Sequence, residues 1–130
     1  MSTQRSVVTT KQAPAAIGPY SQAIRAGSLV FCSGQIALKP DGELAKGSAA
    51  EQAEQVLTNL KSVLEAAGLG LHHVAKTTIF LSSMDHFASV NEVYQRFFPA
   101  DPPARSTVAV AGLPKGVDVE IEAIAVDSRE

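Results

Sequence analysis

Several β-branched runs in this chain are apolar at both parities. Ile79 and Leu81 alternate with Phe80, while Val108 and Val110 alternate with the small Ala109 and Ala111. Successive side chains of a strand point to opposite faces of its sheet. A sheet wetted on one side would instead show clean apolar-polar alternation. Both faces of this sheet therefore need cover, and the helical periodicity provides for only one of them. A first helix starts at Ser48, which with Glu51 forms a capping box. Ala53, Val56, Leu57, Leu60, Val63, Leu64 and Ala67 then recur at helical spacing, opposite Gln52, Gln55, Lys61 and Glu65. Gly68 supplies a left-handed stop. A second helix, about Met84 to Phe98, carries Phe87, Val90, Tyr94 and Phe97 on one side and ends before Pro99. The remaining face is expected to be covered by self-association.

Strands are read over Arg5 to Thr10, Gln22 to Ala26, Leu29 to Gln35 and His73 to Leu81, with Gly27-Ser28 as a turn and Pro40 to Glu43 as an exposed loop. Two last runs, Arg105 to Ala111 and Val117 to Val126, flank Gly112 to Gly116, whose glycines and proline predict a five-residue hairpin loop. The order is three strands, helix, strand, helix, two strands. It predicts a single α+β domain over residues 1–130, with an about six-stranded mixed sheet and two helices packed on one face. At 130 residues, 45% hydrophobic and 18% charged, the chain can bury roughly two thirds of its unfolded surface.

A formal net charge of −2 with scattered Lys and Arg leaves no basic stripe for nucleic acid and no polybasic patch for a membrane surface. Met1 to Arg5 is polar, unlike a secretory leader, and no stretch approaches a membrane span. A cytoplasmic location is expected. Cys32, the single cysteine, forms no intrachain disulfide; within Leu29-Val30-Phe31-Cys32 it reads as a small buried hydrophobe.

Arg105 and Glu120 put opposite charges on the two last strands. Such a pair is either a sheet-stabilising ion pair or part of a binding site. Arg105 presents a planar fork that binds a carboxylate through two parallel hydrogen bonds. Glu120 shares its parity with Glu122; within reach of a water it orients that water or takes its proton, the alternative being a salt bridge to Arg105 or a lysine. Tyr20 follows the Gly18-Pro19 turn, which puts it at a cleft rim or in half-buried packing. Ser33 precedes Gly34, and a strand glycine marks close approach by a ligand or another backbone. Asn91 interrupts the apolar side of the second helix and is expected to tie down a loop. His72 and His73, adjacent on a strand, point apart, and His86 has no second ligand at helical spacing, so no metal site is expected. Neither a phosphate-binding loop nor a dinucleotide fingerprint is present, and no cofactor is expected.

Four segments share one resemblance. Ala16-Ile17-Gly18-Pro19-Tyr20-Ser21-Gln22-Ala23 with Ser33-Gly34-Gln35, Lys76 to Leu81, Val90 to Tyr94, and Pro103-Ala104-Arg105-Ser106 with Val119-Glu120-Ile121-Glu122 resemble the motifs of the RidA/YjgF family of reactive intermediate deaminases. The resemblance implies a homotrimer of chorismate-mutase-like subunits with three clefts between neighbours. It also implies cofactor-independent hydrolysis of 2-imino acids of the 2-aminoacrylate and 2-iminobutyrate type to 2-oxo acids and ammonia. Arg105 falls on the carboxylate-binding arginine and Glu120 on the residue that positions water. Tyr20, Ser33 and Asn91 fall around the cleft. Thr107 stands where many members carry cysteine, and its backbone amide is expected to contact substrate. Two competing readings are a non-catalytic module binding small carboxylates or acting as a chaperone, and an endoribonuclease or translation inhibitor.

Overall fold

The computed structural model describes residues 4–45 and 47–128, so the polar start at Met1 to Thr3 lies outside the described residues. The strands β1 (Arg5–Val8), β2 (Ala23–Ala26) and β3 (Leu29–Gln35) come first, followed by α1 (Ala49–Ala66), β4 (Val74–Leu81), α2 (Phe87–Phe97), β5 (Ala104–Ala109) and β6 (Val119–Val126). They build a six-stranded sheet in the order β1-β2-β3-β6-β4-β5. β4 and β5 run parallel and every other neighbouring pair antiparallel, so the sheet is mixed, as the order of elements predicted.

The predicted hairpin is not formed. β4 lies between β5 and β6, pairing Phe80 with Val108 on one side and with Glu120 on the other. α2 serves as the crossover that parallel β4 and β5 require. The segment after β5 then passes over the end of β4 through a short 3-10 turn, Pro114–Gly116, where Lys115 and Gly116 have φ of 57° and 67°. These glycines and this proline do mark a reversal, but local turn chemistry carries no information about which strand is inserted across it.

Two strand ends also move for a side-chain reason. β1 stops at Val8 rather than Thr10 because Gln22 takes over the backbone there: the Thr10 N–H donates to Gln22 Oε1 at 2.8 Å, and Gln22 Nε2 donates to the Thr10 carbonyl at 3.1 Å and to that of Pro14 at 2.9 Å. β4 begins at Val74, since Leu71–His73 forms a 3-10 turn closed by the Gly70 N–H donating to His73 Nδ1 at 3.0 Å. The second helical segment begins as a 3-10 turn, Met84–His86, capped by Ser83, before α2 proper.

α1 is capped as predicted: the Glu51 N–H donates to Ser48 Oγ at 3.2 Å and the Ser48 N–H to Glu51 Oε1 at 3.0 Å. These bonds hold the Glu51 carboxyl below its usual range. Gly68, at φ 81°, ends the helix. Val56, Leu57, Val63 and Leu64 are 0% exposed and pack on Ile79, Leu81, Val119 and Ile121 of the sheet, also 0% exposed. Each such buried side chain contributes about 2 kcal/mol. Cys32 belongs to the same core, and burial pushes its thiol up to about 12. No helix among the described residues is long and apolar enough to cross a membrane.

One polar residue of α1 reaches through this core. Asn59, 1% exposed, donates from Nδ2 to the carbonyls of Leu38 at 2.8 Å and Ile36 at 3.2 Å, pinning the chain that leaves β3. Asn59→Ala removes the side-chain donor from both carbonyls, leaving that of Ile36 only the Leu38 N–H at 2.8 Å, and a loss of about 2 kcal/mol in urea unfolding is expected.

Candidate active site

The face of the sheet turned away from the helices carries a cleft of about 430 Å³ lined by Ile17, Tyr20, Ser33, Gly34, Ile36, Pro114, Glu120 and Glu122. Ser33 and Gly34 sit where the β3–β6 register slips between Cys32 and Gln35, a bulge that re-aims their side of the strand. Ser33 is locked to the preceding loop: its Oγ donates to the Ser21 carbonyl at 2.6 Å and its N–H to the Gln22 carbonyl at 2.9 Å. The Tyr20 ring is exposed at the rim. Its hydroxyl accepts from the Ile17 N–H at 3.2 Å, which leaves its own proton to donate elsewhere.

Gly34 is where a close approach requires glycine, and the approaching group is Glu120. A Cβ on Gly34 would collide with Glu120 Oε2 and lie 2.9 Å from its Cδ and 3.0 Å from its Cγ. The carboxylate of Glu120 is thus laid against bare backbone. Burial, reinforced by the neighbouring Glu122 carboxylate, raises its pKa. No cation pairs with Glu120 among the described residues, so the salt-bridge alternative is not realised.

Arg105 lies elsewhere. Its register partner on β4 is Thr77, which is 0% exposed beneath the helices, whereas the partner of Glu120 is Phe80 of the opposite parity. Arg105 and Glu120 therefore occupy opposite faces of the sheet within one chain. The guanidinium lines a second cleft, of about 290 Å³, with Asn91, Tyr94, Gln95, Phe98, Pro102 and Pro103. Its carbon stands 4.9 Å from the centroid of the Tyr94 ring and 5.7 Å from that of Phe87. Among the described residues no carboxylate or carbonyl takes its hydrogen bonds. The ion pair foreseen as an alternative is absent, and the five donors face a cleft whose walls are mostly apolar.

Asn91 lines this same cleft and, among the described residues, makes no side-chain hydrogen bond to a loop, so the tie expected for it is not seen there. Thr107, two residues after Arg105 on the same face, buries its Oγ1 with no hydrogen-bond partner. The histidines also differ from expectation. His72 and His73 stack, with centroids 4.0 Å apart, instead of pointing apart, because they lie in a turn and not on a strand. His86 Nε2 lies 3.6 Å from Asp118 Oδ1. Among the described residues no three His, Cys, Asp or Glu side chains converge as a metal ligand set would.

The family described as Endoribonuclease L-PSP, which includes the RidA and YjgF proteins, matches residues 10–127. The chain belongs to the RidA/YjgF family. Among its relatives is the mouse 2-iminobutanoate/2-iminopropanoate deaminase, 49% identical over 94% of this chain and 91% of that protein. A Thermotoga maritima protein described as a candidate endoribonuclease superposes with a TM-score of 0.92 at 54% identity, covering 95% of this chain and 98% of that one. E. coli TdcF, solved with bound serine, gives 0.91 at 46% identity, over 95% of this chain and 99% of that one. Every segment that carried the RidA/YjgF resemblance lies in the matched span.

Of the six positions picked from the sequence, Tyr20, Ser33 and Glu120 meet in one cleft and Arg105 and Asn91 in the other, with Thr107 beside the second. Two contributors went unrecognised. Glu122 lines the first cleft, and its shared parity with Glu120 was the available signal. Tyr94 was counted only as packing; that a buried tyrosine hydroxyl needs a partner was the signal missed. Gly34→Ala is expected to leave the fold intact while swinging Glu120 out, returning its pKa toward that of a solvated carboxylate, as read by NMR titration of its side-chain carbonyl carbon.

Proposed function

We propose that this protein is a cytoplasmic, cofactor-independent enamine/imine deaminase that hydrolyses 2-imino acids of the 2-aminoacrylate and 2-iminobutyrate type, and that it works as a homotrimer with its sites between subunits. The observation that carries the reading is Arg105: a guanidinium laid over aromatic rings, without an anionic partner among the described residues, in a cleft with little else that is polar. A small substrate carboxylate is the ligand its planar fork suits. The name of the mouse relative and the serine bound to TdcF support the same substrate class.

In the reaction, water adds to C2 of the imino acid and the resulting carbinolamine expels ammonia, leaving a 2-oxo acid. The imine carbon is already electrophilic, so fixing it by its carboxylate and presenting water at one face supplies the rate. Arg105 holds the carboxylate, with Asn91 and Thr107 at its side. Glu120 orients the water and takes its proton, for which a carboxyl raised above its usual range is a better acceptor. Tyr20 donates its free hydroxyl proton toward the departing nitrogen, and Ser33 shapes the wall. Turnover is expected to rise with pH through the ionisation of Glu120, and Glu120→Gln to abolish that rising limb.

A site divided between opposite faces needs a second copy to join its halves. The outward face supports this, since Val7, Phe31, Val108 and Val126 are 36% to 62% exposed there and none has a covering layer in its own chain. An interface that brings one chain's Arg105 cleft to the next chain's Glu120 cleft is heterologous and closes as a ring; the family resemblance makes the ring a trimer. An endoribonuclease is disfavoured, because two carboxylates line the larger cleft and would repel a phosphate backbone.

The test generates 2-iminobutyrate in situ and follows its loss. Arg105→Ala and Glu120→Gln are each expected to be inactive, at least about a thousandfold below wild type. Coexpressed, they are expected to recover about a quarter of wild-type activity, the share of interfaces that pair an intact arginine with an intact glutamate. Decay equal to buffer with wild type would leave a carboxylate-binding module; inactive single variants that fail to complement each other would defeat the shared site, and active ones would defeat the roles given to Arg105 and Glu120.

A further inference from the structure

Nothing in the proposed reaction uses the residues beneath Arg105. Thr77, 0% exposed on β4, shares a hydrogen bond of 2.6 Å with the hydroxyl of Tyr94 on α2. The Tyr94 ring is 5% exposed and tilts against Phe98, with centroids 4.7 Å apart. It is therefore held at both ends, by a hydrogen bond at its tip and by ring packing along its body. Arg105, the register partner of Thr77 on β5, lays its guanidinium over that ring at 4.9 Å, with Phe87 at 5.7 Å. No hydrogen bond or ion pair of its own fixes the Arg105 side chain among the described residues. An arginine side chain left in that condition samples many rotamers, and ordering it on binding weakens affinity.

We infer that Tyr94, clamped by Thr77, is the positioning residue that holds the Arg105 guanidinium flat and ready for a carboxylate. The aromatic face supplies attraction without consuming an N–H donor. A carboxylate in its place would fix the arginine equally well but would occupy the fork meant for the substrate. The Thr77 hydroxyl keeps the ring from swinging, so a buried β4 residue outside the cleft and an α2 residue in its wall set the orientation of the β5 residue that grips the substrate. The inference rests on the reading of Arg105 as the carboxylate anchor, and its first test does not depend on turnover.

That test is the Arg105 Nε–H signal in 1H–15N NMR spectra of the full chain, assigned by its disappearance in Arg105→Lys. In wild type the signal is expected to be ring-current shifted. Tyr94→Leu should return it to the free-arginine position, while Thr77→Val and Tyr94→Phe, which conserve packing and guard against a folding defect, should move it part of the way. Combining those two should add nothing to either alone. The second readout is inhibition by 2-oxobutyrate: Tyr94→Leu is expected to raise its inhibition constant roughly tenfold, with a smaller change in kcat. An Arg105 signal that stays put in both Tyr94→Phe and Tyr94→Leu overturns the inference whatever the turnover. A signal that moves, in a protein with no imine hydrolysis, upholds the positioning and defeats the deaminase reading instead.

Discussion

The insertion of β4 between β5 and β6 decides almost everything else about this molecule. Because β4 and β5 are parallel, the chain must cross over between them, and the crossover is α2. That places Phe87, Asn91, Tyr94 and Phe98 above the edge strand that bears Arg105. Because β6 then runs antiparallel beside both β3 and β4, Glu120 lands over the β3 bulge at Gly34, on the other side of the sheet. A hairpin of β5 and β6 would have set the two charges on adjacent strands and invited them to neutralise one another. The observed topology prevents that.

The chain also contains a closed ion pair, and the contrast is informative. Arg25 donates to Asp127 Oδ2 at 2.9 Å and to the carbonyl of Ala67, joining β2, the end of α1 and the end of β6. Its donors are spent on structure. Arg105 and Glu120, by comparison, have no partner of opposite charge among the described residues; one lies over aromatic rings and the other against the bare backbone of Gly34. Leaving a half-buried carboxyl and a half-buried guanidinium uncompensated costs stability. Perturbed and uncompensated groups of this kind cluster at functional sites.

The family to which this chain belongs has members named for different activities, so the fold does not settle the reaction. The local chemistry is more discriminating. Two neighbouring carboxylates line one cleft and a guanidinium faces the mostly apolar walls of the other, with no histidine in either among the described residues, and paired carboxylates repel a polyanion. Thr107 adds a feature of this chain's own. Its buried Oγ1 stands beside the arginine with no hydrogen-bond partner among the described residues, and a thiol would tolerate that apolar setting with less loss of hydrogen bonding.

Local periodicity and capping were sufficient for α1, whose box at Ser48 and Glu51 and stop at Gly68 are all short-range features, and for β3, whose limits match the apolar run. The strand content and the apolar character of both sheet faces were equally legible, because side-chain alternation is a property of consecutive residues. The candidate site residues were named by motif resemblance, and the chemistry open to them by residue type. What no stretch of sequence contained was the β5–β4–β6 pairing, since strand insertion depends on contacts between segments far apart in the chain and not on the turn that separates them. For the same reason Gln22 shortening β1 and Tyr94 carrying Arg105 became visible only in three dimensions. Residue identities determined which charges were available; the sheet order alone determined that the arginine and the glutamate stand on opposite faces.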